Sequence, residues 1–243
     1  MKYRAAIVGA TGMVGQRFIT LLHNHPWFEI SALVASGRSA GRTYAQAVEG
    51  RWKMPVPIPD AVRDMVVMDS AQRERVAECA DFIFCAVDMP KAEIRAMEEA
   101  FARLETPVVS NNSACRGVED VPMLVPEING AHTRVIEAQR KRLGTRRGFI
   151  ACKPNCSIQG YVPALTPLRD FGLSKISVCT YQAVSGAGKT LETWPEMVDN
   201  VIPFIGGEEQ KSEVEPLKIW GSVENGVIVP ATSPIISAQC YRV

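Results

Sequence analysis

The chain has 243 residues, 47% of them hydrophobic and 22% charged, with a net charge of +1, which is enough for one large domain or two modest ones and excludes intrinsic disorder. The near-neutral balance excludes a nucleic-acid binder held by bulk electrostatics, and no apolar run approaches the roughly 20 residues that cross a bilayer. Seven cysteines without a CxxC pair argue against a disulfide framework or a metal site and for the reducing cytoplasm.

Lys2 and Arg4 before the apolar run Ala5 to Gly15 imitate a signal peptide, but Gln16-Arg17-Phe18 follows where a small-x-small cleavage site belongs. Ala5 to Gly9 therefore reads as a short buried strand. Gly12 to His25 reads as a helix with Met13, Val14, Phe18, Leu21 and Leu22 on its apolar side. Strand-like runs follow at Ile30 to Ala35 and Met65 to Met68, with a proline-rich surface loop at Met54 to Pro59 between them. Next come a buried strand at Phe82 to Val87, a helix from Pro90 to Leu104 and a strand at Val108 to Val109. Strands alternating with helices predict a parallel sheet covered on both faces.

Ala131 to Leu143 reads as a helix ending in the basic cluster Arg140, Lys141, Arg142, Arg146 and Arg147. Cations at a helix C-terminus complement the dipole and need no nucleic-acid partner. After a strand at Phe149 to Cys152, a helix is expected from Cys156 to Phe171. The alternating Ile176 to Val184 is then expected as a strand of an antiparallel or mixed sheet. This change of pattern places the domain boundary near residue 152, giving an N-terminal doubly wound α/β domain (1–152) and an α+β domain (153–243). Ile235 to Val243 reads as one more strand.

Three motifs carry chemistry. Gly9-Ala10-Thr11-Gly12-Met13-Val14-Gly15 lies between the first strand and first helix, where glycines let backbone amides at a helix N-terminus approach a pyrophosphate. At the end of the second strand, Ser36-Gly37-Arg38-Ser39 offers two hydroxyls and a guanidinium where NAD binders place an acid, so NADP is the expected cofactor over NAD. The second motif is Lys153-Pro154-Asn155-Cys156-Ser157, in which Asn155 caps a helix begun by Cys156. The positive helix end there favours a nucleophilic thiolate. The third, Tyr181 to Thr190, imitates a phosphate-binding P-loop, yet Ala183 stands where its first glycine belongs and no magnesium-binding Asp strand follows. Ser185, Gly186 and Gly188 fit better as a loop that lets backbone approach the cofactor.

With GATGMVG, PNCS and YQAVSGAG in this order, the whole chain resembles the aspartate-β-semialdehyde dehydrogenase family, in its archaeal and fungal-like branch. The resemblance implies NADP-dependent reductive dephosphorylation of β-aspartyl phosphate, on the route to lysine, threonine and methionine. It implies that Cys156 is the nucleophile forming a thioacyl enzyme and that Gln182 orients the acyl group. Arg116, in Ser110 to Arg116, matches the phosphate-binding arginine. Glu208 and Lys211, in Gly206 to Lys211, match the ammonium-binding glutamate and phosphate-binding lysine, and Arg242 matches the arginine for the α-carboxylate. By their position alone, Glu209 and Lys211 also read as a solvated surface run.

The family's acid/base histidine falls a few residues beyond the arginine matched by Arg242, and the chain ends at Val243, so a C-terminal truncation is expected. His23, His25 and His132 read as surface or cap histidines. The resemblance also implies a homodimer or homotetramer. Two alternatives stand beside the main reading: a reductase of coenzyme A thioesters on the same scaffold, and an inactive NADP-binding module.

Overall fold

In the computed structural model, which describes residues 1–243, strand β1 (Tyr3–Val8) sends alternate side chains to opposite faces of its sheet. Ala6 and Val8 join one buried cluster with Val76, Met97 and Phe101, while Ala5 and Ile7 join another with Ile19, Tyr44 and Val62. A strand buried on both sides needs a helical layer on each. The chain supplies them in order: α1 (Met13–Leu22), β2 (Phe28–Ala35), α2 (Tyr44–Ala47), α3 (Asp60–Arg63), β3 (Met68–Asp69), α4 (Arg73–Cys79), β4 (Phe82–Cys85), α5 (Lys91–Arg103) and β5 (Val108–Ser110). After α6 (Pro126–Asn129), α7 (Ile136–Leu143) leads into β6 (Ile150–Cys152). All six strands are parallel, in the order β3-β2-β1-β4-β5-β6. That is the Rossmann-type, doubly wound order, with its switch point between β1 and β4.

Two elements differ from expectation. Met65 to Met68 is not a sheet strand, because Met65 and Val67 exchange backbone bonds with residues 41–44 and only Met68–Asp69 reaches β2. The helix expected from Ala131 opens as a 3₁₀ turn, Gly130–Val135, and becomes α-helical at Ile136. Gly144 closes α7 at φ 73°, a left-handed cap that glycine adopts without strain. The basic cluster beyond it is paired internally. Arg142 binds Asp120 at 2.6 and 2.9 Å, and the amides of Arg146, Arg147 and Gly148 converge on the Glu105 carboxylate. Arg140 lies over the Phe149 ring.

Contacts divide the chain into two units: Met1–Pro122 with Val135–Lys153, and Met123–Arg134 with Pro154–Val243. A linear division at residue 152 has no place for Met123–Arg134, whose Met123 and Val125 pack in the second unit against Ile158, Val162, Ile219, Trp220 and Ile236. The second unit contains α6, α8 (Ile158–Leu165), β7 (Lys175–Gln182), α9 (Glu208–Ile219), the antiparallel hairpin β8 (Ser222–Glu224) and β9 (Val227–Val229), and β10 (Ile235–Arg242). The helix expected to Phe171 stops at Leu165. Pro163 and Pro167 remove two amide donors, and Thr166–Phe171 tightens into a 3₁₀ turn.

Strand β7 pairs not in an antiparallel ladder but parallel with β10, in unbroken register from Lys175↔Ile235 to Gln182↔Arg242. One face of this pair is covered and the other is exposed. No helix of the protein is long and apolar enough to cross a membrane.

Candidate active site

The glycine turn after β1 is shaped by close approach. Gly9 sits at φ 91°, and a Cβ there would overlap the Ala86 carbonyl, while one on Gly15 would overlap the Gly9 carbonyl and press α1 off β1. Gly12 is different: its only near neighbour would be the Gly9 carbonyl at 3.5 Å, so space stands over it. No side chain caps α1 and its first turn holds no acid, leaving the amides of Met13, Val14 and Gly15 without intrahelical acceptors. This end of α1 therefore fits a dinucleotide pyrophosphate.

Two residues that sequence reasoning missed brace the turn. The Tyr44 hydroxyl donates to the Ala10 carbonyl at 2.9 Å, and the fully buried Gln16 amide donates to Thr11 and Arg51 carbonyls at 3.1 and 2.9 Å. Beyond β2, Ser36 accepts the amides of Ser39 and Ala40, and Arg38 is exposed. Ser39 is buried. A carboxylate nevertheless stands close by: a Cβ on Gly37 would lie 3.2 Å from Asp69, which β3 brings alongside Ala35. Only the β2–β3 pairing, not the local sequence, reveals it. Asp69 accepts the Ala71 amide at 2.9 Å through Oδ1, and its Oδ2 is the atom nearest Gly37. Arg116, also in the first unit, is buried and donates to the Asn111 carbonyl at 3.0 Å.

In the second unit Cys156 is exposed on the turn just before α8, whose helical residues begin at Ile158 rather than at the cysteine. Asn155 closes that turn, its Oδ1 accepting the Ser157 amide at 2.9 Å and the Ser157 hydroxyl at 2.7 Å, whereas the N-cap of α8 is Ser157 and no side chain caps it, contrary to the expectation for Asn155. Its other bonds fix the turn from α9. The Asn155 amide donates to Glu215 at 2.6 Å, and its side-chain Nδ2 donates to Glu208 at 2.9 Å. Nothing in the sequence marked the buried Glu215, since only the fold brings residues 155 and 215 together.

Glu208 is the hub of this group. Lys211 Nζ binds it at 2.6 Å across one helical turn. Burial opposes its charge, but hydrogen bonds from Lys211 and Asn155, with Gln182 contributing, outweigh that and hold its carboxyl below the ordinary glutamate value. The run at Glu208 to Lys211 is thus no solvated surface. Glu209 turns to the open edge of β10 and accepts the Cys240 amide at 3.2 Å, as Glu213 accepts that of Ala238.

Gln182 and Arg242 are register partners at the C-terminal ends of β7 and β10. Arg242 is buried, and its Nη1 donates to the Ala183 carbonyl at 2.7 Å. The loop after β7 is a 3₁₀ turn, Val184–Ala187, closed by Gly188 at φ 70°. It opens no α-helix, and Lys189 lies 4.1 Å over the Trp194 ring, which accounts for the P-loop likeness without phosphate binding. Within this loop Gly186 is required by Arg242, for a Cβ would sit 2.8 Å from Nη1.

His132 is not a surface residue. Its buried ring lies 3.1 Å from Asn129 Nδ2 at one nitrogen and 3.1 Å from the Gly221 carbonyl at the other. Burial lowers its pKa against the Gly221 bond, and the Lys218 charge adds to that lowering. His25 caps the α1–β2 connection by accepting the Trp27 and Phe28 amides.

Residues 4–136 match the family model for the semialdehyde dehydrogenase NAD-binding domain, and residues 165–243 match its dimerisation domain. The aspartate-semialdehyde dehydrogenase of Archaeoglobus fulgidus is 42% identical over 100% of this chain and 68% of its own length. That of Methanothermobacter thermautotrophicus is 42% identical over 98% of the chain and 66% of its own. The chain belongs to the aspartate-semialdehyde dehydrogenase family. A crystal structure of aspartate-semialdehyde dehydrogenase with NADP from Candida albicans superposes with a TM-score of 0.87 at 38% identity, covering all of this chain and 68% of that one. The chain thus spans about two thirds of the length of these dehydrogenases, and its second unit contains the match to their dimerisation domain.

Proposed function

We propose that the protein carries out NADP-dependent reductive dephosphorylation of β-aspartyl phosphate to aspartate β-semialdehyde, and the reverse, phosphate-dependent oxidation. The observation that carries this reading is the convergence, inside one unit, of the Cys156 turn, Glu208 and Lys211 through direct hydrogen bonds, with Gln182 contributing to the low pKa of Glu208 and Arg242 at the Gln182 register position.

The Cys156 sulfur, exposed on the turn before α8, attacks the acyl phosphate carbon; the C–O bond breaks, phosphate leaves and a thioester forms on sulfur. NADPH, when bound, supplies the hydride that reduces the thioester carbonyl. Gly9, Thr11, Gly12, Met13, Val14 and Gly15 hold its pyrophosphate, and Ser36, Arg38 and Ser39 its 2′-phosphate. Ser185, Gly186 and Gly188 would offer backbone to the cofactor. Gln182 orients the acyl group, and Arg242 grips the α-carboxylate with guanidinium N–H groups other than the one held by Ala183.

Lys211 and Glu208 neutralise each other in the structure. A substrate with an ammonium and a phosphate would divide that pair, taking the carboxylate for the first and the lysine for the second. Both ring nitrogens of His132 are already engaged, so it is no acid/base for this step. The names of the relatives favour an acyl phosphate over a coenzyme A thioester as substrate. Seven free cysteines support a cytoplasmic location. The exposed β7–β10 face supports a homodimer or homotetramer built through the second unit.

The test is NADPH formation from aspartate semialdehyde, phosphate and NADP. Cys156→Ala is expected to abolish turnover and keep NADP binding. Retained turnover would remove Cys156 from the reaction, and turnover with malonyl-CoA and NADPH alone would replace the substrate.

A further inference from the structure

A second cavity, of about 330 Å³, opens in the same unit at the C-terminal end of α9, among residues with none of the roles above. That volume suits a small organic molecule. Its wall includes Arg134, Arg169 and His132 and contains no carboxylate. Neither guanidinium takes part in an ion pair. Arg169 and Thr166 also line an adjoining cavity together with Asp170, and Asp170 forms no ion pair with Arg169.

The other polar groups of the wall are already satisfied. The His132 ring is held on both sides by Asn129 and Gly221, and the Trp220 indole N–H donates to Thr166 at 2.9 Å, whose hydroxyl donates in turn to Val162. Only the two arginines face the space with unspent donors. Arg169 is half-buried and stacked 5.3 Å over the Trp220 ring, so its planar fork is set before any ligand arrives. Ile128, Ile219 and Val223 complete the wall with apolar surface.

We propose that this cavity binds a small organic oxyanion, a carboxylate or phosphate ester, with its charge held by Arg134 and Arg169 and its carbon body on the apolar wall. Two guanidiniums without counter-charges match such a ligand, whereas a cation would meet uncompensated repulsion.

The test follows the Trp220 indole N–H resonance, identified by its loss in Trp220→Phe, during titration of the protein with malonate and with inorganic phosphate at millimolar concentrations. The resonance is expected to shift saturably. Saturation by malonate alone marks a carboxylate ligand, by phosphate alone a phosphoryl ligand, and by both a general oxyanion site. Arg134 is exposed, so Arg134→Ala leaves the fold intact and is expected to weaken binding tenfold or more, about 1.4 kcal/mol. Lys211→Ala, in the proposed substrate site, is expected to leave this binding unchanged. A stationary resonance with both anions would overturn the proposal, and so would a shift that persists with equal affinity in Arg134→Ala.

Discussion

Glu208 concentrates the site's electrostatics in one side chain. Because its folded pKa is depressed below the ordinary value of 4.5, the stabilisation it provides is present above that value and is lost as pH falls through the depressed one. Glu208→Gln is expected to flatten the acid limb of the stability curve, measured as urea midpoints from pH about 6 to about 3. An acid limb identical to that of the unaltered protein would assign the titration elsewhere. At this scale the sequence was readable where chemistry is local. The glycines at the strand-to-helix turn follow from residue type and spacing. Glu215 and Asp69 were not readable, since each acts on a backbone that only the fold brings near.

Helix α9 contains an interruption that its neighbour repairs. Pro216 has no amide, so the Ser212 carbonyl one turn earlier has no helical donor. The Tyr161 hydroxyl, from α8, donates to that carbonyl at 2.9 Å. Tyr161→Phe orphans the buried carbonyl and is expected to cost about 1–3 kcal/mol in urea denaturation. Adding Pro216→Ala restores an amide donor, so the double variant should recover much of that loss; simple additivity of the two changes would show that the bond does not matter.

Elements also mark where pattern reading stops. The βαβ rhythm of the first unit is plain, because strands buried on both faces are continuously apolar. Strand β7 misled because alternation reports one covered face, a state commoner in antiparallel sheets, and carries no information about strand direction. Its partner, β10, lies beyond the segment 183–234 and could not be assigned from local pattern.

For the molecule as a whole, the uncovered face of β7 and β10 is the largest piece of unfinished business. Tyr181, 69% exposed, stacks on Tyr241 at 5.4 Å, and Ile235 stands 68% exposed on the same face. If copies of the chain meet there, Tyr181→Asp buries a charge in the contact and should lower the sedimentation mass relative to the unaltered protein. An unchanged mass would move the association surface elsewhere.

The parallel pairing of β7 with β10 also orders events in time. Both units depend on distant pairing: in the first, β1 meets β4 through Ala5↔Phe82 and sets Gly9 against the Ala86 carbonyl. Gln182 and Arg242 become adjacent only after the whole segment 183–234 has been closed into a loop, and contacts of such separation form slowly. Until Arg242 docks beside Gln182, the proposed substrate site is incomplete.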